Sequence, residues 1–470
     1  MESTPTSRRT AIGLGIVSTA QLMLVLDATV VNVALPGIQD DLGFSPAGLS
    51  WVLNAYALAF GGLLLLGGRI GDTIGRLRAF EIGLATFVVA SLLGGIAGTP
   101  ELLVAARTLQ GVGAALAAPS VLALITTTAR TTHERNRGLA LFSAVSSAGA
   151  SLGLILGGIL TDWGSWRWTL FVNVPIGIAV IVSARRFVAE TPRQRSRFDV
   201  AGALTATLGS LALVSGFISA AERGWDSPLT YGGLAAGVLL IAVFLLVEAR
   251  TPAPLLPLTL LRDRGRGGAL LTMALIVGGQ FALFFLLVQY LQRVLDLGPL
   301  TAGAAFLPLT AAIFAVSRVA PRLVERFGVR PLLVTGSLAL AASHLWLSTL
   351  DASSTYVASV LGPLVLNGLG AGLAFMPSTV AALRGVAPEH AGAASGLLQT
   401  VQQVGGSVGM AVVVTVYASY AVPGDFVPGV REALLVAAAF TVVAAAVALV
   451  TQRRTSEPRV AAPEPVGQDA

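Results

Sequence analysis

The sequence predicts an all-α polytopic membrane protein, and three observations support this fold class. Of the 470 residues, 54% are hydrophobic and 11% are charged, whereas soluble domains are about 25% charged. The apolar residues form runs of about 20, the length that an α-helix needs to cross a bilayer. The arginines lie between these runs, except for Arg107. Strands of a membrane barrel would be about 10 residues long and would alternate polar with apolar residues, which this chain does not do.

The apolar runs predict fourteen membrane-spanning helices. With the N-terminus in the cytoplasm, 25 of the 30 arginines fall on the cytoplasmic side and four on the outer side. Cytoplasmic loops carry an excess of basic residues, so we predict a multi-pass protein of the cell (inner or plasma) membrane with both termini cytoplasmic. The predicted spans are 11–36, 51–70, 79–98, 101–128, 139–160, 167–184, 200–220, 230–248, 268–290, 301–320, 331–349, 356–383, 393–417 and 431–451.

Residue types exclude several functions. The chain has no lysine, so it cannot contain the phosphate-binding loop that drives nucleotide-dependent pumps. It has no cysteine, and His133, His344 and His390 are too far apart to suggest a metal site. We find no Ser-His-Asp set. We therefore expect no enzymatic activity, no cofactor and no metal. We also expect no nucleic-acid partner, because the excess of arginine is explained by the orientation of the chain in the membrane.

The chain contains an internal repeat with a shift of about 253 residues. The loop Gly68–Arg76 aligns with Pro321–Gly328, and the glycines of span 5 align with Gly405 and Gly409. The repeat predicts two six-helix bundles with two additional helices between them. The predicted segments are an N-terminal six-helix bundle at 1–184, two linker transmembrane helices with basic cytoplasmic flanks at 185–267, a C-terminal six-helix bundle at 268–451 and a disordered cytoplasmic tail at 452–470.

Four motifs stand out: Leu26–Pro36 in span 1, Gly68–Arg78 after span 2, Arg107–Ala115 in span 4 and Trp166–Gly177 at the start of span 6. They resemble those of the major facilitator superfamily, and in particular its fourteen-span drug:proton antiporter family. One departure is Leu154, which stands where the span 5 antiporter motif has a proline. The resemblance implies the major facilitator fold, with a small-molecule substrate and protons as the transported species. We expect a monomer in the lipid bilayer.

Asp27 in span 1 is the predicted proton carrier. A carboxylate near the bilayer centre costs about 2.5–3.5 kcal/mol on insertion scales, so such residues usually have a function. Protons and a cationic drug would compete for it, which would couple their transport; alternatively, the acid only makes a structural hydrogen bond. Arg107 cannot release a proton, so we predict that it tunes a nearby acid or holds polar groups of span 4. Gln280 is the repeat partner of Asp27 and cannot titrate, so coupling is predicted to belong to the N-terminal half.

The resemblance also implies a cytoplasmic gate in the loop after span 2, although a solvated charged loop is the alternative. Glycines in span 5 predict close helix packing at a seam between the halves. Amides within spans are candidates for the substrate cavity, or else bridge helices. The gate residues are Gly68, Arg69, Gly71, Asp72, Gly75 and Arg76. The packing glycines are Gly149, Gly153, Gly157 and Gly158. The cavity candidates are Asn54, Gln110, Gln280, Asn367, Gln399 and Gln403.

Two functions remain open. The first is proton-driven export of hydrophobic or cationic drugs and antibiotics by alternating access, which the span 1 acid and the fourteen-span layout favour. The alternative is uptake or export of a specific metabolite on the same fold. A sensor or membrane-embedded enzyme is disfavoured, because no catalytic set was found and the termini are short.

Overall fold

The computed structural model of the chain describes residues 5–129, 131–191, 193, 199–251, 254, 258, 263–386, 391–422 and 425–452. The secondary structure of these residues consists of helices joined by turns and loops, without a β-strand. The predicted tail at 452–470 lies outside them, apart from its first residue. His390 and the side chain of His133 are also outside them.

The N-terminal half is a bundle of helices. Below, the outer end of a helix is the end away from the side that holds the N-terminus. The helices are α1 (Pro5–Leu42), α2 (Trp51–Ile74), α3 (Arg76–Gly95), α4 (Pro100–Thr128), α5 (Thr132–Trp163), and the consecutive pair α6 (Trp168–Phe171) and α7 (Asn173–Phe187).

The C-terminal half follows after two inserted helices, α8 (Val200–Arg223) and α9 (Pro228–Arg250). Its helices are α10 (Arg264–Arg293), the consecutive pair α11 (Pro299–Ala304) and α12 (Leu307–Phe327), α13 (Val329–Leu347), a π-helical turn at Tyr356–Val360 that leads into α14 (Leu361–Leu383), α15 (Ala391–Tyr420) and α16 (Val430–Thr451).

Local signals in the sequence explain where several helices begin and end. The hydroxyl of Thr99 accepts a hydrogen bond from the backbone N–H of Leu102, and Pro100 occupies the first turn of α4. Thr131 and Glu134 form a capping box at the start of α5. Helix α2 ends at Gly75, whose φ of 104° is readily adopted only by glycine.

Twelve helices in the described residues are long and apolar enough to cross a membrane. Each of the fourteen predicted spans coincides with a helix or a consecutive pair, but the count of fourteen membrane spans is not confirmed. The helices outside the twelve are α5 and α13. Within the described part of α5, the apolar segment Leu152–Trp163 is shorter than the twelve helices that could cross a membrane. Helix α13 has 19 residues and includes the polar side chains of Arg330 and His344.

Small residues allow equivalent helix pairs to pack closely in the two halves. Glycines on α5 lie against α1, where Gly149 contacts Val25 and Gly157 contacts the carbonyl of Val30. In the C-terminal half, Gly409 of α15 lies against Gly278 of α10. Helices α1 and α10 are repeat partners, as are α5 and α15. The two glycine-rich contacts are therefore the same contact made once in each half.

The halves meet at their outer ends. The side chain of Gln292 on α10 donates to the carbonyl of Val33 on α1 at 2.9 Å. Arg293 donates to Asp40 at 3.2 Å, also between α10 and α1. Helix α11 packs on the outer end of α5, where a Cβ on Gly158 would lie 2.6 Å from the Cα of Leu300. These contacts join the two bundles on the outer side, and α2 and α15 join them farther from it, where Gly61 lies against Gln403.

The inserted helices α8 and α9 pack on each other and on the seam between the halves. Glycines at their crossing, such as Gly216 and Gly233, bring the two backbones together. Helix α8 also contacts both halves: Thr207 lies against Gly62 of α2, and Thr415 of α15 donates to the carbonyl of Phe217 at 2.7 Å. Helix α8 thus links the insertion to both halves, and Phe244 of α9 also packs against the C-terminal half.

Candidate functional site

Asp27 lies at the centre of a buried hydrogen-bond network in the N-terminal half. Its side chain is completely buried in α1 and accepts three hydrogen bonds from two other helices. Arg107 Nη1 donates to one carboxylate oxygen at 2.7 Å. Gln110 Nε2 and Asn173 Nδ2 donate to the other, at 3.1 and 2.8 Å. The acid therefore connects α1 to α4 and α7.

Arg107 is the cation of this network and is 1% exposed. Besides Asp27, it donates to Gln110 Oε1 at 2.8 Å and, through Nε, to the backbone carbonyl of Val52 at 2.9 Å. Its guanidinium lies over the ring of Tyr56, 4.6 Å from the ring centroid. A guanidinium can bind several partners at once because its donors form a rigid, planar fork. Arg107 thus anchors α4 to α1 and α2.

The two charges of the buried pair compensate each other. An ion pair in a low-dielectric interior is stable only while both charges are present, and removing one costs about 3–5 kcal/mol. A proton on Asp27 would remove the negative charge that compensates Arg107. Arg107 would then keep its neutral partners, Val52, Gln110 and Tyr56. Loss of the charge on Asp27 would therefore leave α4 attached to α2 through Val52 and Tyr56, but would weaken its contact with α1.

Three residues of the network were missed by the sequence analysis. Asn173 lies within the Trp166–Gly177 motif, so its amide could have been singled out as a polar group in a span. Ser91 accepts from Gln110 Nε2 at 2.8 Å and adds α3 to the network. Tyr56 carries no sequence signal that relates it to Arg107, because aromatic residues are common in membrane helices.

The C-terminal half holds an uncharged pair at the corresponding place. Gln280 of α10 and Asn367 of α14 exchange two hydrogen bonds, at 2.8 and 3.2 Å. Gln280 is the repeat partner of Asp27, and Asn367 belongs to the motif that matches the one around Gln110. His344 is also fully buried in this half, with its ring against Gly279. The acid–amide contact of one half is thus an amide–amide contact in the other.

The predicted cavity amides occupy different environments. Gln110, Gln280 and Asn367 are used in the buried contacts just described. Asn54 of α2 is completely buried, and neither polar atom of its side chain has a hydrogen-bond partner among the described residues. Gln403 of α15 packs on Gly61 of α2, next to the hydrogen bond that Thr400 donates to the Gly61 carbonyl. Gln399, one turn away, is exposed.

The loop of the predicted gate is held by contacts within the N-terminal half. Asp72 at the end of α2 and Arg76 at the start of α3 form an ion pair across the break at Gly75. Glu190, which follows α7, accepts hydrogen bonds from the backbone N–H groups of Leu77 and Arg78, at 2.9 and 3.1 Å. Because these are orphan donors at the start of α3, Glu190 acts as a helix cap. The sequence analysis missed Glu190.

Glycines of this loop allow the close approach of neighbouring groups. At Gly75, a Cβ would lie 2.6 Å from Oε2 of Glu190, in addition to the strain of its positive φ. Gly71 lies beside the Arg76 side chain and the hydroxyl of Ser120, and Gly68 beside Pro119. Arg69 accepts a hydrogen bond from Thr73 through its backbone carbonyl.

The glycines of α5 do not all lie where the sequence analysis expected them. Gly149, Gly153 and Gly157 pack on α1, inside the N-terminal half, and Gly158 alone of the four contacts α11 of the C-terminal half. Residues four apart share one face of a helix, so the first three face the same neighbour and Gly158 is rotated away. Helix α5 continues without a break through Leu154, where the related motif has proline.

Comparison with known proteins gives consistent matches. Residues 17–410 match the family described as Major Facilitator Superfamily. The puromycin resistance protein of Streptomyces alboniger is 44% identical, over 86% of this chain and 81% of its own length. The cephamycin export protein of Amycolatopsis lactamdurans is 42% identical, over 85% and 84%. The lincomycin resistance protein of Streptomyces lincolnensis is 35% identical, over 96% and 94%.

Solved structures share the fold at low sequence identity. A peptide transporter in complex with sulfate superimposes with a TM-score of 0.70 at 14% identity, covering 95% of this chain and 98% of the other. A bacterial homologue of the human lysosomal transporter Spinster, in an inward-facing and unoccupied conformation, has a TM-score of 0.66 at 16% identity, covering 96% and 98%.

Proposed function

We propose that this chain, which belongs to the major facilitator superfamily, exports hydrophobic or cationic antibiotics in exchange for protons. The observation that carries the proposal is the buried Asp27–Arg107 pair at the junction of three helices. Such a pair is costly in a membrane, and ionisable residues within spans often belong to the proton relays of pumps and transporters. The class of substrate is supported by three relatives, 35–44% identical, whose names describe resistance to or export of an antibiotic.

Proton binding and substrate binding would exclude each other at Asp27. With Asp27 ionised, its charge is compensated by Arg107, and a cationic substrate that approaches the network would compete for that carboxylate. With Asp27 protonated, the attraction is lost and a cation is released. Antiport follows if the proton enters from the outer side and the substrate from the cytoplasm. A neutral substrate would be coupled by the shift of α1 relative to α4.

Alternating access would use the contacts at the outer ends of the bundles. The contacts of Arg293 with Asp40 and of Gln292 with Val33 join the outer ends of the bundles, which supports a conformation that takes substrate from the cytoplasm. To release substrate outward, these contacts would break and the cytoplasmic ends would close. Gly68, Arg69, Gly71, Asp72, Gly75 and Arg76 would then form the cytoplasmic gate. The ion pair of Asp72 with Arg76 supplies charges for that contact.

The proposed topology has fourteen spans, a cell-membrane location and cytoplasmic termini. Helix α13 has 19 residues, which at about 1.5 Å per residue comes close to the about 30 Å hydrocarbon core. Helix α5 has 32 residues and packs along α1, which is long and apolar enough to cross the membrane. The distribution of arginines supports the orientation. We propose that the monomer is the transport unit, because each monomer holds a complete network.

Export can be tested in a bacterial host that lacks its own efflux pumps. Cells that express the chain should survive higher concentrations of puromycin, a cephamycin or lincomycin, and a protonophore should remove this protection. Asp27→Asn should remove it too, whereas Asp162→Asn, which changes an exposed acid of α5, should not. No protection against any compound, together with metabolite uptake into vesicles that persists without a pH gradient, would replace this proposal with metabolite transport.

A further inference from the structure

A cavity of about 610 Å³ opens at the outer end of the N-terminal half, away from the Asp27 network. It lies between α2, α4 and the inserted helix α8. Its walls include Trp51 and Leu58 from α2, Val104 from α4 and Leu211 from α8. Its volume falls within the about 300–1,000 Å³ typical of small-molecule sites. The inserted helix thus adds a drug-sized apolar space to the transport bundle.

The rim of this cavity carries two carboxylates. Glu101 lies in the first turn of α4 and Glu222 in the last turns of α8, and both line the cavity. Among the described residues that line it, none is an arginine or a histidine. A cationic ligand would therefore be attracted to the rim, whereas the phosphate of a phospholipid would be repelled.

The carboxylate of Glu222 is positioned by the loop between α1 and α2. The hydroxyl of Ser45 donates to Glu222 Oε1 at 2.6 Å, and the same hydroxyl accepts from the backbone N–H of Gly48 at 2.9 Å. A Cβ on Gly48 would lie 3.1 Å from Glu222 Oε1. The absence of a side chain at Gly48 thus leaves room for the acid. This contact fixes the end of the inserted helix relative to the core bundle.

The cavity is polar at its rim and apolar at depth. Glu101 and Glu222 are exposed at the outer ends of their helices. Ala59 and Thr207, two turns or more deeper, lie near the point where α8 meets α2 at Gly62. An amphipathic molecule inserted from the membrane surface has the matching arrangement, with a charged head outward and an apolar body inward.

We propose that this cavity binds amphipathic organic cations at the outer side of the membrane, with Glu101 and Glu222 as the anionic residues that recognise the charge. It is separate from the proton network, because Arg107 points from α4 towards Val52 and Asp27 and does not line the cavity. The proposal does not depend on antibiotic export. It assigns a role to α8: one wall of a ligand site that the six-helix bundle alone would leave open.

Binding can be measured on the purified full chain in phosphatidylcholine nanodiscs with radiolabelled tetraphenylphosphonium. Glu101→Gln and Glu222→Gln should each weaken binding about fivefold, since each charge is exposed, and about 20-fold together. Ala105→Trp places a bulky ring in the cavity from an exposed position of α4 and should weaken binding about tenfold or more. Asp226→Asn, an exposed acid on the same side outside the cavity, should have no effect.

Two further measurements decide the outcome. The same series on an Asp27→Asn background separates this site from any cation binding at the network, because the effects should persist there. Native mass spectrometry of the Ala105→Trp variant reports whether a phospholipid has been displaced. If tetraphenylphosphonium binds equally well to the double glutamine variant and to Ala105→Trp, the proposal is overturned. Loss of a co-purified lipid with unchanged cation binding overturns it in favour of an acyl-chain site.

Discussion

Gln280 and Asn367 exchange two hydrogen bonds between α10 and α14, at the point of the repeat where Asp27 meets Gln110 in the other half. The geometry is shared, but the charge is present in one half only. An amide pair cannot take up a proton in the physiological range, whereas a carboxylate can. This difference supports the proposal that proton coupling belongs to the N-terminal half, and it leads to the first two predictions.

Removing the charges of the network should affect the stability of the protein and its proton-coupled export differently. Asp27→Asn leaves Arg107 buried without its counter-ion and should lower the free energy of unfolding by about 3–5 kcal/mol. Asp27→Asn/Arg107→Gln removes both charges and should recover most of that loss. Neither variant should show proton-coupled export, because an amide at position 27 cannot take up the proton that the proposal assigns to Asp27.

Thermal unfolding of the purified variants measures the stability, and drug-driven proton release from vesicles measures the proton coupling. Arg107→Lys is the matched conservative change, and it should lose export because one ammonium cannot reach Asp27, Gln110 and the Val52 carbonyl together. Normal coupling in the double variant would contradict the assignment of Asp27.

Substitution of Asn367 by alanine should affect stability but not coupling. It leaves the Gln280 amide buried without its partner, at a cost of about 1–3 kcal/mol. The ratio of protons to drug should stay the same, which can be measured from paired fluxes in vesicles. An altered ratio would show that the C-terminal pair takes part in proton transfer.

Loss of the cap at α3 should destabilise the cytoplasmic side. Glu190→Ala removes the acceptor for the N–H groups of Leu77 and Arg78 and should cost about 1 kcal/mol. Gly75→Ala should cost more, because its φ is 104° and the added Cβ would meet Glu190. Thermal unfolding measures both. Gly98→Ala, where a Cβ would meet nothing, is the control for a glycine substitution.

Covalent linkage of α1 to α10 should stop transport by holding the outer side closed. The chain has no cysteine, so Asp40→Cys/Arg293→Cys introduces a unique pair where an ion pair now joins the bundles. A short, reducible bifunctional thiol reagent should abolish export, and a reducing agent should restore it. Each single variant, treated in the same way, should remain active. Continued export by the linked protein would mean that the outer ends need not separate.

Much of the site could be predicted from the sequence because it consists of residues that are costly in a membrane. Asp27 and Arg107 stood out as charges within apolar runs, and the structure joins them directly. Asn173, Ser91 and Glu190 were missed because a single amide, hydroxyl or loop acid is common. The packing of Gly149, Gly153 and Gly157 on α1 was also missed. Glycines spaced four residues apart indicate that another helix packs closely there, but not which helix it is.

The sequence by itself determined the helical membrane architecture, the two-fold repeat and the position of the charges, because apolar run length and arginine distribution act locally along the chain. Only the tertiary structure decided which polar groups meet. Arg107 reaches Asp27 across 80 positions of sequence, and Ser45 reaches Glu222 across 177. Such contacts depend on how helices cross and rotate about each other, which is set by the packing of many side chains together.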